Sequence, residues 1–101
     1  MNRHSISQLW EDYKKREEQG IKEPYIYAND LIVVQSVEYM KSQSEPLDNP
    51  VYEIADQILQ VVRQYEVDVD LWYTVVRNSQ GEEYTLYDDN IKYVLRFNRS
   101  K

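Results

Sequence analysis

The stretch NPVYEIADQILQVVRQYE, residues 49–66, decides how the rest of the chain is read. Val51, Ile54, Ala55, Ile58, Val61, Val62 and Tyr65 recur at spacings of three and four, with Glu53, Asp56, Gln57, Gln60, Arg63 and Gln64 between them. That is the pattern of an amphipathic helix with one broad apolar face. Asn49 ahead of Pro50 reads as a capping side chain before a proline at the first helical position. A helix is therefore expected over 50–65.

Downstream of it the period changes to two. Val67, Val69, Leu71, Tyr73 and Val75 alternate with Asp68, Asp70, Trp72, Thr74 and Val76, which predicts a strand with the first set facing inward. Asn78-Ser79-Gln80-Gly81 supplies a turn, a second strand returns over 84–87, and Asp88-Asp89-Asn90 turns the chain again. In the last segment Ile91, Tyr93, Leu95 and Phe97 alternate with Lys92, Val94, Arg96 and Asn98. A three-stranded antiparallel meander follows.

Upstream, Ile6, Leu9, Trp10 and Tyr13 share a face, and Ser5 with Gln8 reads as a capping box, so a helix is expected over 5–19 with Gly20 as its left-handed stop. Pro24 and Tyr25-Ile26-Tyr27 suggest an extended connector. Asn29 or Asp30 then caps a helix to about residue 42; the run over 31–34 would suit a buried strand equally, but Val33, Val37 and Met40 continue at helical spacing. Residues 42–49, with Ser44, Glu45, Pro46 and Asp48, have loop chemistry. The expected fold is α+β in one domain over 1–101, with two or three N-terminal helices packed on one face of the C-terminal meander.

Composition narrows the function classes. The 101 residues are 42% hydrophobic and 30% charged, as in folded domains. The absence of cysteine excludes disulfides, thiolate metal sites and a cysteine nucleophile. Only two glycines are present, so no phosphate-cradling loop can be written and no nucleotide cofactor is expected. His4, the only histidine, sits beside the N-terminus and reads as a solvent-exposed side chain rather than a held general base. No stretch is apolar for long enough to cross a membrane and no signal-peptide core follows Met1, so a cytoplasmic location is expected. Nothing here points to an enzyme.

What remains is charge and aromatic surface. The formal net charge is −6, and residues 45–70 carry all of that imbalance, with seven acids against Arg63 alone. Phosphate-backbone attraction needs the opposite sign, so direct nucleic-acid binding is not expected. Glu53 and Asp56 on the expected helix, continuing into Asp68 and Asp70, form an acidic stripe that would steer a basic protein partner. Such carboxylates could also imitate duplex phosphates and block a nucleic-acid-handling enzyme. Of the ten tyrosines, Tyr13, Tyr65, Tyr73 and Tyr93 fall on expected core faces, whereas Trp72 and Tyr87 face outward as candidate partner contacts. Lys92, Arg96, Arg99 and Lys101 make a basic edge that could meet the acidic helix of a second copy in a homodimer.

These features predict a regulator or inhibitor that binds a partner protein through Glu53, Asp56, Asp68, Asp70, Trp72 and Tyr87, without metal or cofactor. Compactness and acidity also suit small accessory proteins of bacteria or their phages. Two other classes stay open: a divalent-metal enzyme centred on Asp68, Asp70, Asp88 and Asp89, and a self-assembling structural subunit.

Overall fold

The computed structural model describes residues 2–43 and 50–97. The expected loop at 44–49 with its Asn49 cap, and the basic residues Arg99 and Lys101, lie outside the described residues. In chain order the elements are β1 (Asn2–His4), α1 (Ile6–Glu18), β2 (Leu31–Val34), α2 (Val37–Ser42), a 3-10 turn (Pro50–Ile54), β3 (Ile58–Asp68), β4 (Leu71–Arg77), β5 (Glu83–Leu86), a second 3-10 turn (Asp88–Asn90) and β6 (Ile91–Arg96). The strands form one six-stranded sheet in the order β1-β6-β2-β3-β4-β5, with every neighbouring pair antiparallel. The class is α+β, but the expected three-stranded meander under two or three helices is corrected to six strands and one main helix.

The helix expected over 50–65 is the largest correction. Its first residues make only a 3-10 turn, which ends where Asp56 takes φ +64°, a left-handed conformation no helix continues through. The remainder is β3. Its inward residues are Leu59, Val61 and Gln64, because a bulge between Val61 and Arg63 inserts an extra residue and shifts the alternation by one. A strand with a bulge thus reproduces the spacing of three that a helix would give. Isoleucine and valine at 58, 61, 62 and 67 pack well on a pleated surface and supply the competing preference.

The same reasoning corrects residues 30–42. Leu31–Val34 is strand β2, with Ile32 and Val34 fully buried, and Ser36 then caps the short α2 by accepting from the Tyr39 N–H at 3.1 Å. At the N-terminus His4 is a half-buried member of β1 opposite Val94, not a free terminal side chain. Ser5 does cap α1, accepting from the Gln8 N–H at 3.1 Å, and Gly20 at φ +83° follows its end.

The expected strand over 67–76 contains a turn. Asp68 pairs with Leu71 across Val69 and Asp70, and Asp70 adopts φ +57°, so this segment is the tip of the β3–β4 hairpin. Reversal there exchanges the faces. Trp72, Thr74 and Val76 point into the core, and Tyr73 points away from it; Val69 is 81% exposed.

The core lies on one side of the sheet. Leu9 and Tyr13 of α1, Tyr25 and Ile26 of the connector, Met40 of α2 and Ile54 pack on Ile32, Leu59, Val61, Trp72, Val76, Leu86 and Val94. Two buried polar side chains tie the connector down. Gln64 accepts from the N–H groups of Tyr25 (3.0 Å) and Ile26 (3.1 Å) and donates to Thr74 Oγ1 at 3.3 Å. Asp30, almost fully buried, pairs with Arg96 at 2.7 Å, and Arg96 also donates to the Tyr25 carbonyl. Breaking such a buried pair costs about 3–5 kcal/mol. Arg96 is therefore internal, and since β6 runs between β1 and β2 it is no basic edge strand.

The opposite face carries none of this core. Register places Leu95, Leu31 and Gln60 in one row across β6, β2 and β3, Val33 beside Ile58, Arg63 beside Val75, and Tyr65 beside Tyr73. Tyr65, Tyr73 and Tyr93, expected in the core, belong to this outer face. Among the described residues no helix is long and apolar enough to cross a membrane.

Candidate functional site

The β3–β4 tip and the start of β4, the residues around the 3-10 turn Asp88–Asn90 and the first half of α1 come together around a cleft. The cleft between them has a volume of about 460 Å³ and is lined by Ile6, Ser7 and Trp10 of α1, Asp70, Leu71 and Trp72 of β4 and its turn, and Tyr87, Asp88 and Asp89. A smaller hollow of about 240 Å³ shares Ile6, Ser7, Asp88 and Asp89 and extends toward Tyr39 and Lys92. Together they form a groove past the start of α1.

Its floor is aromatic. Trp10, Tyr13, Tyr25 and Trp72 form a cluster with ring centroids 5.1 to 5.9 Å apart. Mostly edge-on and tilted contacts of this kind add about 0.5–1.5 kcal/mol per pair beyond area burial. Burial raises the Tyr13 hydroxyl above its ordinary range, and burial next to Asp88 raises Tyr25 much further, so both stay protonated. The Trp72 indole N–H lies beside the Tyr13 hydroxyl without completing a hydrogen bond of normal geometry.

Asp88 is the polar centre of the cleft. The Tyr25 hydroxyl donates to its Oδ2 at 2.7 Å, while Oδ1 is buried and has no hydrogen-bond partner. Burial is the main reason its carboxyl is raised above the usual carboxylate range; the Tyr25 hydrogen bond opposes the shift, and neighbouring Asp89 adds to it. Among the described residues neither Asp88 nor Asp89 has an ion-pair partner. Asp70 does. It accepts from Lys14 Nζ at 3.2 Å, and Lys14 also meets Glu17 at 2.8 Å.

The six sequence-derived contact residues separate into three groups. Asp70, Trp72 and Tyr87 converge on the cleft. Trp72 is only 6% exposed, because the hairpin turn places it on the core side, and it contributes to the cleft as floor rather than as an outward aromatic. Tyr87 is 45% exposed and its hydroxyl lies 3.3 Å from that of Tyr73. Asp68 is absorbed in the hairpin tip, accepting from the Val69 N–H at 2.7 Å. Glu53 and Asp56 precede the start of β3, an eleven-residue strand away from Asp68, and the Asp56 N–H donates to the Gln35 carbonyl while the Gln35 N–H donates to the Asn90 carbonyl, so Asp56 lies behind the 3-10 turn of Asp88 rather than in the cleft lining. The acidic helix expected over 50–65 is not formed, so neither a stripe along it nor its pairing with a basic edge of a second copy stands.

For the metal-enzyme alternative, Asp70, Asp88 and Asp89 do share the cleft, but among the described residues no three acidic or imidazole side chains converge closely enough to hold a metal ion. Trp10 and Ser7 were not singled out by sequence reasoning as site residues. The signal was Trp10 on the apolar face of α1 one turn from Ile6, a position that reads equally as core. Comparison with known protein families, with characterised proteins and with solved structures gives no match to this chain.

Proposed function

We propose that this chain is a cytoplasmic protein-interaction module that regulates or inhibits a partner by holding one of the partner's basic side chains in the aromatic and carboxylate cleft. The observation that carries this reading is Asp88: a largely buried carboxylate with an unpartnered oxygen and no ion-pair partner among the described residues, walled by Trp10, Trp72 and Tyr87. A lysine ammonium or arginine guanidinium would supply the missing donor. It would also lie against ring faces, a contact worth about 0.5–2 kcal/mol depending on desolvation. Charge-assisted hydrogen bonds to Asp88 would add about 1.5–3 kcal/mol each. The net charge of −6 favours approach of a basic partner, of which a nucleic-acid-handling enzyme with a cationic groove is one class.

The test is a proton–nitrogen NMR titration with an oligo-arginine peptide, with an oligo-glutamate peptide as control. The expected result is saturable shifts of the Trp10 and Trp72 indoles and of residues 87–89, lost in Asp88→Asn combined with Asp89→Asn and weakened at about 0.5 M salt, where screening is short-ranged. Shifts spread evenly over the acidic surface, or undiminished in the double variant, would remove the cleft from the reading.

A further inference from the structure

The uncovered face of the sheet is the second surface the fold presents. Both 3-10 turns, both helices and the connector contribute their buried residues to the other side, and Val33 and Val75 are buried yet stand outside the core cluster. Around them Ile58 is 57% exposed and Tyr65 39% exposed. Exposed apolar side chains gathered on one face mark contact surfaces. Tyr65, Tyr73 and Tyr93, with Arg63 and aliphatic residues, are residue types enriched at interface centres.

We propose that this face pairs with the same face of a second copy to form a two-sheet sandwich. The 35 residues of the six strands, at about 3.3 Å rise and about 4.8 Å spacing, give a flat footprint of about 550 Å², and side-chain relief raises the accessible area toward the ~800 Å² per partner of a stable interface. Two such sheets stack about 10 Å apart with interdigitating side chains. The valines then gain the second layer they lack. Glu83 on this face is already paired with Arg77 at 3.2 Å. Arg3, on the edge strand, lies 4.2 Å over the Tyr93 ring, and Arg63, in the middle of β3 beside Val75, lies 5.9 Å from the Tyr65 ring, so each guanidinium rests along a ring. Those two cations face their counterparts on the partner copy. Association through this face is therefore strengthened by salt, opposite to capture of a basic side chain in the cleft.

Sedimentation velocity of the full chain from about 1 μM to about 1 mM, at about 0.05 M and about 0.5 M salt, tests this. The expected result is a monomer–dimer equilibrium that tightens with salt and weakens at least about tenfold in Ile58→Lys and in Tyr65→Lys, both exposed enough to keep the fold. Val69→Lys at the hairpin tip and Asp88→Asn in the cleft leave it unchanged, which separates this proposal from the cleft reading. A monomer throughout, a dimer indifferent to both face substitutions, or a dimer that salt dissociates overturns it. So does a monomer that binds a labelled thymidine oligonucleotide and releases it on Ile58→Lys, which would make the face a single-strand platform.

Discussion

Asp88 shows how a single carboxylate can be costly to the fold and useful to a site. Its folded-state proton affinity is raised by burial, so the ionised form is disfavoured relative to the unfolded chain. Stability is then greatest below the unfolded carboxylate value of about 3.9 and falls as pH rises through the raised folded value. Asn in its place cannot ionise, and its side-chain carbonyl can still accept from Tyr25. Asp88→Asn should therefore gain stability over the parent as pH rises above about 4 and hold that gain once Asp88 is ionised, read as the difference in urea midpoints across pH. A difference that is flat or reversed with pH would show that the carboxylate is solvated. An oligo-arginine peptide should reduce the parent's pH dependence, since a bound cation favours the ionised form. In the sequence Asp88 reads as a turn acid and as one carboxylate of a metal site, not as a buried group, because burial depends on which elements pack around that turn.

At the scale of elements, the β3 bulge and the hairpin tip account for most of the difference between expectation and structure. The cap of α1, the turn at 78–81 and the last two strands follow from local chemistry, and all are present. β3 does not follow, since its inward residues change phase at Val62 and a helical spacing of three or four arises from a strand pattern interrupted once. Trp72 was placed on the wrong side for a related reason: the turn at Val69 and Asp70 contains no glycine, and alternation was carried straight through it. The residue that could have signalled the end of the 3-10 turn is Asp56, an aspartate tolerating φ +64° where glycine is unstrained. Asp56→Gly should raise stability by up to about 1 kcal/mol, whereas Asp56→Val should lower it by about 1–2 kcal/mol. Urea unfolding of the pair measures both. If residues 50–65 were helical instead, glycine would be the destabilising change, so the sign distinguishes the two folds.

The whole molecule is organised by pairings that no local pattern announces. Asn2 pairs with Arg96, and β6, last in sequence, lies between β1 and β2. Sequence reasoning recognised β6 as a strand but set it at the margin, because a meander is the default when strands are consecutive; the N-terminal β1 and β2 that enclose it are too short to stand out. Its position makes the two chain ends unequal. A chain beginning at Ser5 loses an edge strand and should unfold cooperatively with stability reduced by about 1–3 kcal/mol. A chain ending at Asn90 loses Val94 from the core and Arg96 from Asp30, leaving β2 unpaired on one side and a buried carboxylate without its cation. It should be unfolded at room temperature, with collapsed amide dispersion in NMR, whereas the first truncation keeps native dispersion. Equal tolerance of the two truncations would mean that β6 is peripheral and would return the meander. The same pairings, joining residues at opposite ends of the chain, should make folding slow for a domain of this size, on the scale of milliseconds to seconds in stopped-flow refolding.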